Sequence, residues 1–352
     1  MEKVSIIVAM FNCEKTIENL ITSLIQQTYK NLEILLIDDG SSDTTLKICK
    51  NYIKDSRIKI FSQNHLGVSA ARNKGIQLAT GSLMYFCDAD DYLELELVEK
   101  MVNACTSNNV DLVMSGYFID VYLKNLKPYT SKVTYKNKKY PTIDRFKNDF
   151  VYLWDIHFLQ TVWNKLYIAN IIKNNNILFE DINFGEDIAF NRQYLLKISS
   201  AYILEAPLYH YAKNGNTSLT EKYIDNLFEI RKKEYYEFCN YFKTFGIPEN
   251  EYREYVSRRH IEKLIDCVKN FSKSDCPLTL KNKISETKQI MNDSLTIDCL
   301  RNAKLKSKKL KLFTIPFRLK LPALEILMFS FSNFIKRSSP YLFNLFKNWG
   351  NT

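Results

Sequence analysis

Several familiar binding and catalytic motifs are missing from this sequence of 352 residues. Its nine glycines include no G-x-G pair and no G-K-[S/T] sequence, which excludes the common dinucleotide-binding and P-loop motifs. Its four histidines have no H-E-x-x-H spacing, and no G-x-S-x-G sequence is present. These absences argue against a zinc protease and against a serine hydrolase of the α/β type.

Cysteine pairs with metal-binding or redox spacing are also missing, because no two of the eight cysteines form a C-x-x-C sequence. Several cysteines lie in apolar runs, as Cys87 does in the run 83–87. We therefore expect buried free thiols in a reducing compartment rather than a disulfide framework.

Long apolar runs are scarce. No stretch of about 18 uncharged apolar residues occurs, so we expect no transmembrane helix. The apolar run 4–11 near the N-terminus is short and is soon followed by Glu14 and Lys15, so it fits a strand better than a signal peptide. The sequence thus predicts a cytoplasmic protein.

The net charge of +10 is concentrated at the C-terminal end. Residues 301–352 contain eleven basic residues and a single acid, Glu325, whereas basic and acidic residues balance over 1–215 and over 216–300. From this charge distribution and from the residue patterns we predict three segments: a catalytic domain (1–219), a helical extension (220–300) and a basic amphipathic tail (301–352).

The first hundred residues alternate between short apolar strands and amphipathic helices. We predict strands at 4–9, 32–37, 58–61 and 83–87, with helices between them, and we read 124–140 as a polar loop. Apolar strands that alternate with helices indicate an α/β fold with a mainly parallel sheet covered by helices on both faces. Polar residues follow three of these strands, at 12–14, 38–39 and 88–91, and ligands of such sheets bind beyond the carboxyl ends of the strands.

The most concentrated polar group is Asp88, Asp90 and Asp91, directly after the fourth strand. Closely spaced carboxylate oxygens suit Mg²⁺ or Mn²⁺ that bridges to substrate phosphates. The alternative is a capped turn, because aspartate is common in turns and at helix starts. The position of the group at a strand end, next to Asp38 and Asp39, favours metal binding.

Five sequence segments resemble, in order and spacing, the family 2 glycosyltransferases with the GT-A fold. They are V-S-I-I-V with F-N-C-E (4–14), Q-Q-T-Y (26–29), I-D-D-G-S-S-D (37–43), G-V-S-A-A-R-N (67–73) and D-A-D-D (88–91). W-N-K-L-Y (163–167) and G-E-D (185–187) match the second half of the same pattern. The resemblance covers roughly residues 3–215, and it is specific because all the segments are in register.

The resemblance implies a role for each matching residue. Phe11 stands where the family usually has a tyrosine that packs on the nucleotide base, and Asp39 matches an acid that accepts a hydrogen bond from the base. Asp88-Ala89-Asp90 matches the D-x-D motif, with Asp90 as the main ligand of Mn²⁺ or Mg²⁺ and Asp88 as its companion. The full set of implied donor-nucleotide contacts is Phe11, Asn12, Glu14, Asp39, Arg72, Asn73, Asp88 and Ala89.

Asp187 matches the general base of the family, with Glu186 beside it. Without the resemblance, Asp187 reads as an acid that stabilises a helix N-terminus. Trp163, Lys165 and His210 are candidate contacts for the acceptor or for a phosphate. The alternatives are a core position for Trp163, a solvated surface position for Lys165 and a structural role for His210.

The implied function is transfer of one sugar from a nucleotide-sugar, with UDP favoured by Asp39, to a glycan or lipid-linked acceptor. A single displacement with a carboxylate base and a divalent metal would invert the anomeric configuration. The competing hypotheses are a nucleotide-sugar-binding protein with little turnover and a nucleotidyltransferase. A nucleotidyltransferase would usually carry a glycine-rich basic loop after the first strand, and residues 10–14 do not form one.

The basic tail allows two interpretations. Leu324, Leu327, Met328, Phe331 and Ile335 recur at helical spacing, which is typical of a basic amphipathic helix that lies on an anionic membrane. The same pattern also fits a helix that packs on the catalytic domain. The first interpretation places the protein at the inner face of the cell membrane, and no nucleic-acid-binding module accompanies the charge.

Overall fold

The computed structural model describes residues 1–122, 127–182, 185–214 and 222–338, and for 214 and 332–338 it describes the backbone alone. The chain divides into two compact units, Met1–Gly215 and Asn216–Thr352. All the residues proposed for the site from the sequence lie in the first unit.

The first unit is an α/β structure with ten strands among its described residues. The strands are β1 (Val4–Met10), β2 (Leu32–Asp38), β3 (Ile58–Ser62), β4 (Leu83–Asp88), β5 (Tyr92–Leu93), β6 (Leu112–Tyr122), β7 (Tyr129–Val133), β8 (Lys138–Tyr140), β9 (Lys165–Ile168) and β10 (Ala201–Asn214). The helices are α1 (Ile17–Ile25), α2 (Thr45–Lys50), α3 (Val68–Leu78), α4 (Leu97–Asn108), α5 (Ile143–Asp155), α6 (Ala169–Asn174) and α7 (Glu186–Leu195).

One continuous sheet organises this unit, in the order β3-β2-β1-β4-β9-β6-β10-β5. β1 pairs in parallel with β2 on one side and with β4 on the other, and β2 pairs in parallel with β3. The four apolar strands predicted from the sequence therefore form the parallel part of the sheet. Their side chains are almost completely buried in β1, β2 and β4, which explains why these strands are apolar throughout.

The remainder of the sheet is mixed. β6 and β10 pair in parallel, whereas β5, β7, β8 and β9 all join through antiparallel pairs. The prediction of a loop over 124–140 was wrong, because its described part contains β7 and β8. Both strands lie outside the main path of the sheet, and β7 is largely exposed. Such positions tolerate polar side chains, so neither strand shows the apolar pattern from which a strand is predicted.

The helices α2 and α3 compare differently with the sequence predictions: α2 is shorter than predicted, whereas α3 forms as predicted. The spacing of Leu46, Cys49 and Ile53 predicts a second helix with these three side chains facing inward, but α2 ends at Lys50 and Ile53 is exposed. α3 forms as expected and lies close to β1, since a Cβ atom at Gly75 would stand 2.3 Å from Cγ2 of Ile7. The glycine at this position allows the backbone of α3 to approach the sheet closely.

The second unit is helical in its described residues. Its helices are α8 (Leu227–Thr244), α9 (Glu249–Asn270), α10 (Leu280–Asn292), α11 (Ser294–Asn302), α12 (Lys308–Leu319) and α13 (Pro322–Ser338). Side chains from α9 to α13 share one apolar core, which includes Leu264, Met291, Cys299, Phe317 and Phe329. α12 and α13 thus pack on the other helices of the second unit.

Candidate active site

The carboxyl ends of β1, β2 and β4 lie side by side at one edge of the sheet. Met10 is paired with Asp38 across β1 and β2, and Ala9 is paired with Asp88 across β1 and β4. The polar segments that follow these strands are therefore neighbours in space, as the parallel arrangement predicted.

Arg72 connects Asp88, at the end of β4, with Glu186 and Asp187, at the start of α7. Its guanidinium is buried and donates from Nη2 to Oδ1 of Asp88 at 2.8 Å. From Nη1 it donates to Oδ1 of Asp187 at 2.8 Å and to Oε1 of Glu186 at 3.2 Å. The end of β4 and the first turn of α7 are thus joined through one arginine of α3.

Among Arg72 and its three carboxylate partners, Asp187 is an acid with a raised pKa. Burial raises the pKa of Asp187 to about 7; the charge of Arg72 opposes this rise, and the negative charges of Asp88 and Glu186 add to it. Burial alone would lower the pKa of Arg72, but its three carboxylate neighbours raise it above the ordinary value. Asp187 is therefore a carboxylate that can accept a proton near neutral pH while Arg72 stays charged.

Asp90 and Asp91 complete the turn after β4. Asp91 is buried, where it accepts hydrogen bonds from the Tyr209 hydroxyl at 2.6 Å and from the Ala212 amide at 2.8 Å. Its burial and the charges of Asp88 and Asp90 raise its pKa to about 9. Asp91 therefore fixes the turn to β10, while Asp90 extends from the same turn as an exposed side chain.

The donor set at this turn fits a hard divalent cation. Apart from its own backbone N–H, the Asp90 carboxylate has no hydrogen-bond or ion-pair partner among the described residues, and partial burial together with the charge of Asp88 raises its pKa. No group of three His, Cys, Asp or Glu side chains in the described residues could hold a metal by itself. Mg²⁺ and Mn²⁺ fit such a site, because they bind through one or two carboxylates and take their other ligands from water and phosphates.

Asp39 lies between the end of β2 and the loop before α3. Its two oxygens accept from Gln63 Nε2 at 2.8 Å and from the Leu66 and Gly67 amides, both at 2.9 Å. His65 Nδ1 lies 2.9 Å from Oδ2. Burial alone would raise the pKa of Asp39, but these hydrogen bonds hold it below its ordinary value, so Asp39 is an anion that orders this loop.

Phe11 lies next to this loop and is stacked on His65. The ring centroids are 4.1 Å apart with an interplanar angle of 20°. Both residues are exposed, so a flat aromatic surface faces solvent beside Asp39. His65 was not identified from the sequence, because a single histidine in a loop carries no pattern that marks it as a binding residue.

The other predicted donor contacts hold loops together. Asn12 Oδ1 accepts from the Ser42 amide at 2.8 Å, and Glu14 Oε2 accepts from the Thr44 hydroxyl at 2.7 Å. The Asn73 amide group exchanges two hydrogen bonds of 2.8 Å with the backbone of Phe179. Ala89 is nearly buried in the turn between Asp88 and Asp90. These residues shape the site and present few free polar atoms to a ligand.

Trp163 belongs to an aromatic stack beneath the acidic turn. Its ring is buried and lies parallel to Tyr209 at 4.6 Å and to Tyr211 at 5.3 Å between centroids. Burial and the negative charges of Asp91, Asp88, Asp90 and Asp187 raise the pKa of Tyr211. Tyr211, which is partly exposed, is thus the member of the stack nearest to solvent on the acidic side. The sequence also points to Tyr211, with His210, as a residue that closes the active site.

Lys165 lies inside the fold. Its ammonium is fully buried and donates to the carbonyl oxygens of Phe158 at 2.9 Å and Thr161 at 2.5 Å and to Asn164 Oδ1 at 2.8 Å. Burial lowers its pKa well below the ordinary value. In this arrangement Lys165 ties the segment before β9 together.

His210 is part of a separate cluster between β5, β6 and β10. Its ring lies between Tyr92 and Phe118, at centroid distances of 4.2 and 4.5 Å. Its Nδ1 is 2.7 Å from Asp120 Oδ2, and its Nε2 is 2.9 Å from Glu94 Oε1. The sequence predicts a loop at 214–218, beside His210 and Tyr211; of these residues the structure describes only the backbone of Asn214.

The chain is similar to known glycosyltransferases. Residues 5–168 match the family model described as glycosyl transferase family 2. The chain is 30% identical over 318 residues to a Bacillus subtilis protein named uncharacterized glycosyltransferase EpsJ, and the match covers 87% of this chain and 88% of that protein.

One further relative carries a specific activity in its name, and one solved structure has a similar fold. An Escherichia coli protein, UDP-Glc:alpha-D-GlcNAc-diphosphoundecaprenol beta-1,3-glucosyltransferase WfaP, is 40% identical over 121 residues, which are 34% of this chain and 48% of that protein. The crystal structure of S. aureus TarS 1–349 in complex with UDP-GlcNAc superposes with a TM-score of 0.60 at 19% identity, covering 94% of this chain and 91% of that one. The architecture of the sheet and its helices is therefore of the GT-A type.

Proposed function

This chain belongs to glycosyl transferase family 2, and we propose that it is an inverting, metal-assisted transferase that uses a UDP-sugar as donor. Its proposed acceptor is a glycan or a lipid-linked oligosaccharide, as in the assembly of bacterial surface polysaccharides. WfaP, by its name, transfers glucose from UDP-Glc to an acceptor linked to diphosphoundecaprenol and forms a β linkage. That relative supports both the donor and the acceptor class.

The observation that carries this proposal is the ion-pair network around Arg72. It holds the D-x-D aspartate Asp88 and the proposed base Asp187 on two nitrogens of one guanidinium, each at 2.8 Å. An acid of the proposed metal site and a proton acceptor with a raised pKa are thus kept within the span of one side chain. Such an arrangement suits a reaction in which a sugar bound through its diphosphate is attacked by a nearby hydroxyl.

In the proposed reaction the oxygen of the acceptor hydroxyl attacks C1 of the donor sugar. Asp187 takes the proton of that hydroxyl, and the bond between C1 and the diphosphate oxygen breaks with its electron pair on UDP. A single displacement of this kind inverts the configuration at C1. Arg72 keeps Asp187 oriented and favours its ionised form, while Glu186 shares the same guanidinium.

Asp90, with Asp88, would hold the divalent cation. When bound, Mn²⁺ or Mg²⁺ would supply positive charge to the diphosphate of the donor and so stabilise the departing UDP. Asp91 contributes by fixing the turn that carries both ligands to Tyr209 and Ala212.

We assign the base of the nucleotide to the surface formed by Phe11 and His65. A uracil ring can stack on an exposed aromatic side chain, and its N–H can approach the anionic Asp39 at the edge of that surface. Asn12, Glu14 and Asn73 act through the loops that they hold together.

The proposed domain organisation is a catalytic domain at 1–219, a helical extension at 220–300 and a basic tail at 301–352. We further propose that the tail associates with the cytoplasmic face of the membrane, where a lipid-linked acceptor is found. No helix among the described residues is long and apolar enough to cross a bilayer.

The decisive experiment is thermal unfolding of the purified protein with UDP, GDP or dTDP, each in the presence of Mn²⁺ or EDTA. A ligand at about 100 times its Kd adds about 2.7 kcal/mol of stability, which is readily measured. We expect stabilisation by UDP with Mn²⁺, loss of that stabilisation in EDTA and in Asp90→Asn, and transfer from a UDP-sugar with an inverted product by NMR.

Asp144→Asn is the matched control, because Asp144 is an exposed aspartate of α5 in the same unit. It should leave the UDP-dependent stabilisation unchanged. Absence of stabilisation by every nucleotide in folded protein, or an equal response of Asp90→Asn and wild type, would contradict the proposed donor site.

A further inference from the structure

The outward sides of α12 and α13 expose large apolar side chains, although the inward sides of both helices are buried. Leu310 and Phe317 of α12, and Ile326 and Phe329 of α13, belong to the core of the second unit. The residues exposed on the other sides, which we call the apolar face, are Leu312, Ile315, Leu319, Leu321, Leu324, Leu327 and Phe331.

The apolar face follows the helical repeat on each helix. Its members in α12 are at 312, 315 and 319 and those in α13 are at 324, 327 and 331, so each set occupies one side of its helix. Leu319, Leu327 and Phe331 are 61%, 64% and 62% exposed. Single exposed apolar residues are ordinary, but seven on two successive helices form a patch that marks an interaction surface.

The exposed charges of α12, of the described part of α13 up to 331 and of the segment 301–307 have one sign. The exposed cations between 301 and 331 are Arg301, Lys304, Lys306, Lys308, Lys309, Lys311, Arg318 and Lys320. The single acid in that range, Glu325, is completely buried. Ile315 lines a surface groove together with Lys311 and Arg318, so cationic and apolar atoms belong to the same surface.

We propose that the apolar face and its basic surround form a preformed docking surface for an anionic lipid bilayer. α12 and α13 lie in the plane of the membrane; the leucine, isoleucine and phenylalanine side chains enter the boundary between headgroups and acyl chains. The lysine and arginine ammonium and guanidinium groups remain at the lipid phosphates. The buried sides of the two helices fix this surface to the second unit.

Charge complementarity decides between the candidate occupants of the face. A second copy of the chain would bring a basic surface against a basic surface. Residues 339–352 contain Lys347 and no acid, so they would not neutralise the surrounding cations either. An anionic bilayer provides both an apolar phase and dispersed negative charge, and it therefore satisfies both features of the surface.

This inference deepens the proposed membrane association, and it rests on the proposed function only for its purpose, which is access to a lipid-linked acceptor. Docking itself requires no residue of the active site. Stabilisation by UDP should therefore be the same in wild type and in every variant of the face, and a failure of one proposal can be told from a failure of the other.

The test is co-sedimentation of the full chain with vesicles of phosphatidylcholine, with or without phosphatidylglycerol. We expect binding to the vesicles that contain phosphatidylglycerol and a decrease in binding as salt is raised. Leu319→Ser with Leu327→Ser should weaken that binding about tenfold or more, and Lys308→Gln with Lys311→Gln should do so by about tenfold. Leu280→Ser is the matched control, because Leu280 in α10 is 64% exposed, as is Leu327.

Several results would overturn the proposal. These are no binding to either vesicle, equal binding with and without phosphatidylglycerol, or a face variant that binds as well as Leu280→Ser. A dimer of wild type that Leu327→Ser dissociates would assign the face to a second copy instead. A lower melting temperature in the face variants, without vesicle binding by wild type, would show that the chain itself covers the face.

Discussion

At the scale of single residues, Arg72 determines how the site is organised. It is buried, and it contacts three carboxylates that come from the end of β4 and the start of α7. An uncompensated guanidinium in this position would be costly, as would three uncompensated acids. The ion pairs therefore hold together two segments that are 98 and 99 residues apart in the chain, counted from Asp88 to Glu186 and to Asp187.

The first prediction concerns the pH dependence of transfer. Because the base must be deprotonated to act and the pKa of Asp187 is about 7, kcat/KM should rise with pH and level off above about pH 7. Asp187→Asn should lower kcat by about 10²–10⁴-fold and leave stabilisation by UDP intact. Rate measurements across the pH range on wild type and variant check both parts.

Glu186→Gln provides the comparison, because Glu186 contacts the same guanidinium at a longer distance of 3.2 Å. It should retain more activity than Asp187→Asn. A rate independent of pH around neutrality, or an active Asp187→Asn enzyme, would remove Asp187 from the role of base.

At the scale of elements, the start of α7 depends on one backbone conformation. Gly185, the residue before the helix, has φ of +86° and ψ of 22°, which side-chain-bearing residues adopt at a cost. Nothing lies within 4 Å of a Cβ atom built at this position. A substitution would therefore act through backbone strain and not through a steric clash.

We expect Gly185→Ala to lower stability by about 1 kcal/mol and to lower kcat more than that loss would explain, because Glu186 and Asp187 follow directly. Gly246→Ala tests the same strain elsewhere, since Gly246 has φ of +81° after α8. It should lose similar stability with unchanged kcat. Equal kcat in the two variants would show that the strain at Gly185 does not position the base.

α13 carries a second unusual group, the buried carboxylate of Glu325. Neither of its oxygens has a hydrogen-bond partner among the described residues, and burial raises its pKa to about 8. The folded state therefore holds a proton that the unfolded chain releases above its ordinary pKa of 4.5. Stability should fall as pH rises from about 4.5 to about 8.

Glu325→Met should abolish this part of the pH dependence and raise stability by about 2 kcal/mol at pH 8. Denaturant unfolding at a series of pH values measures the effect. Glu286→Gln in α10 is the control, because Glu286 is exposed and its replacement should leave the profile unchanged. A parallel pH profile in wild type and Glu325→Met would contradict the assignment.

At the scale of the whole molecule, the cysteines report on the integrity of both units. All eight are free and lie in the described residues. Cys49, Cys87, Cys105, Cys267 and Cys299 are buried, and burial raises the pKa of each of these thiols. The buried thiols are thus both inaccessible and protonated.

Alkylation with iodoacetamide, followed by mass spectrometry, should modify at most Cys13, Cys239 and Cys276 in the native protein, since these three are partly exposed. Cys276 should react first, because burial raises the pKa of Cys13 to about 11 and also raises that of Cys239. All eight should react after unfolding without a reductant. A requirement for reductant would indicate a disulfide.

The local pattern was enough to predict the first four strands, the helices between them and the acidic turn after β4. It succeeded because β1, β2 and β4 are buried on both faces, which forces an apolar composition that is visible in the sequence. It failed over 124–140 because β7 and β8 lie outside the main path of the sheet, where polar side chains are tolerated. α13 was visible as an amphipathic segment, but its pattern did not tell which side is buried, and α12 was not predicted.

The sequence by itself determined the family, the class of fold and the presence of Asp88, Asp90 and Asp187 as acids suited to transfer. Only the tertiary structure decided which groups meet: Arg72 with Asp88 and Asp187, His65 with Asp39 and Phe11, and Lys165 with backbone carbonyls inside the fold. The physical reason is that a pairing between segments far apart in the chain depends on where the sheet brings their ends. Such pairings leave no local period or spacing from which they could be predicted.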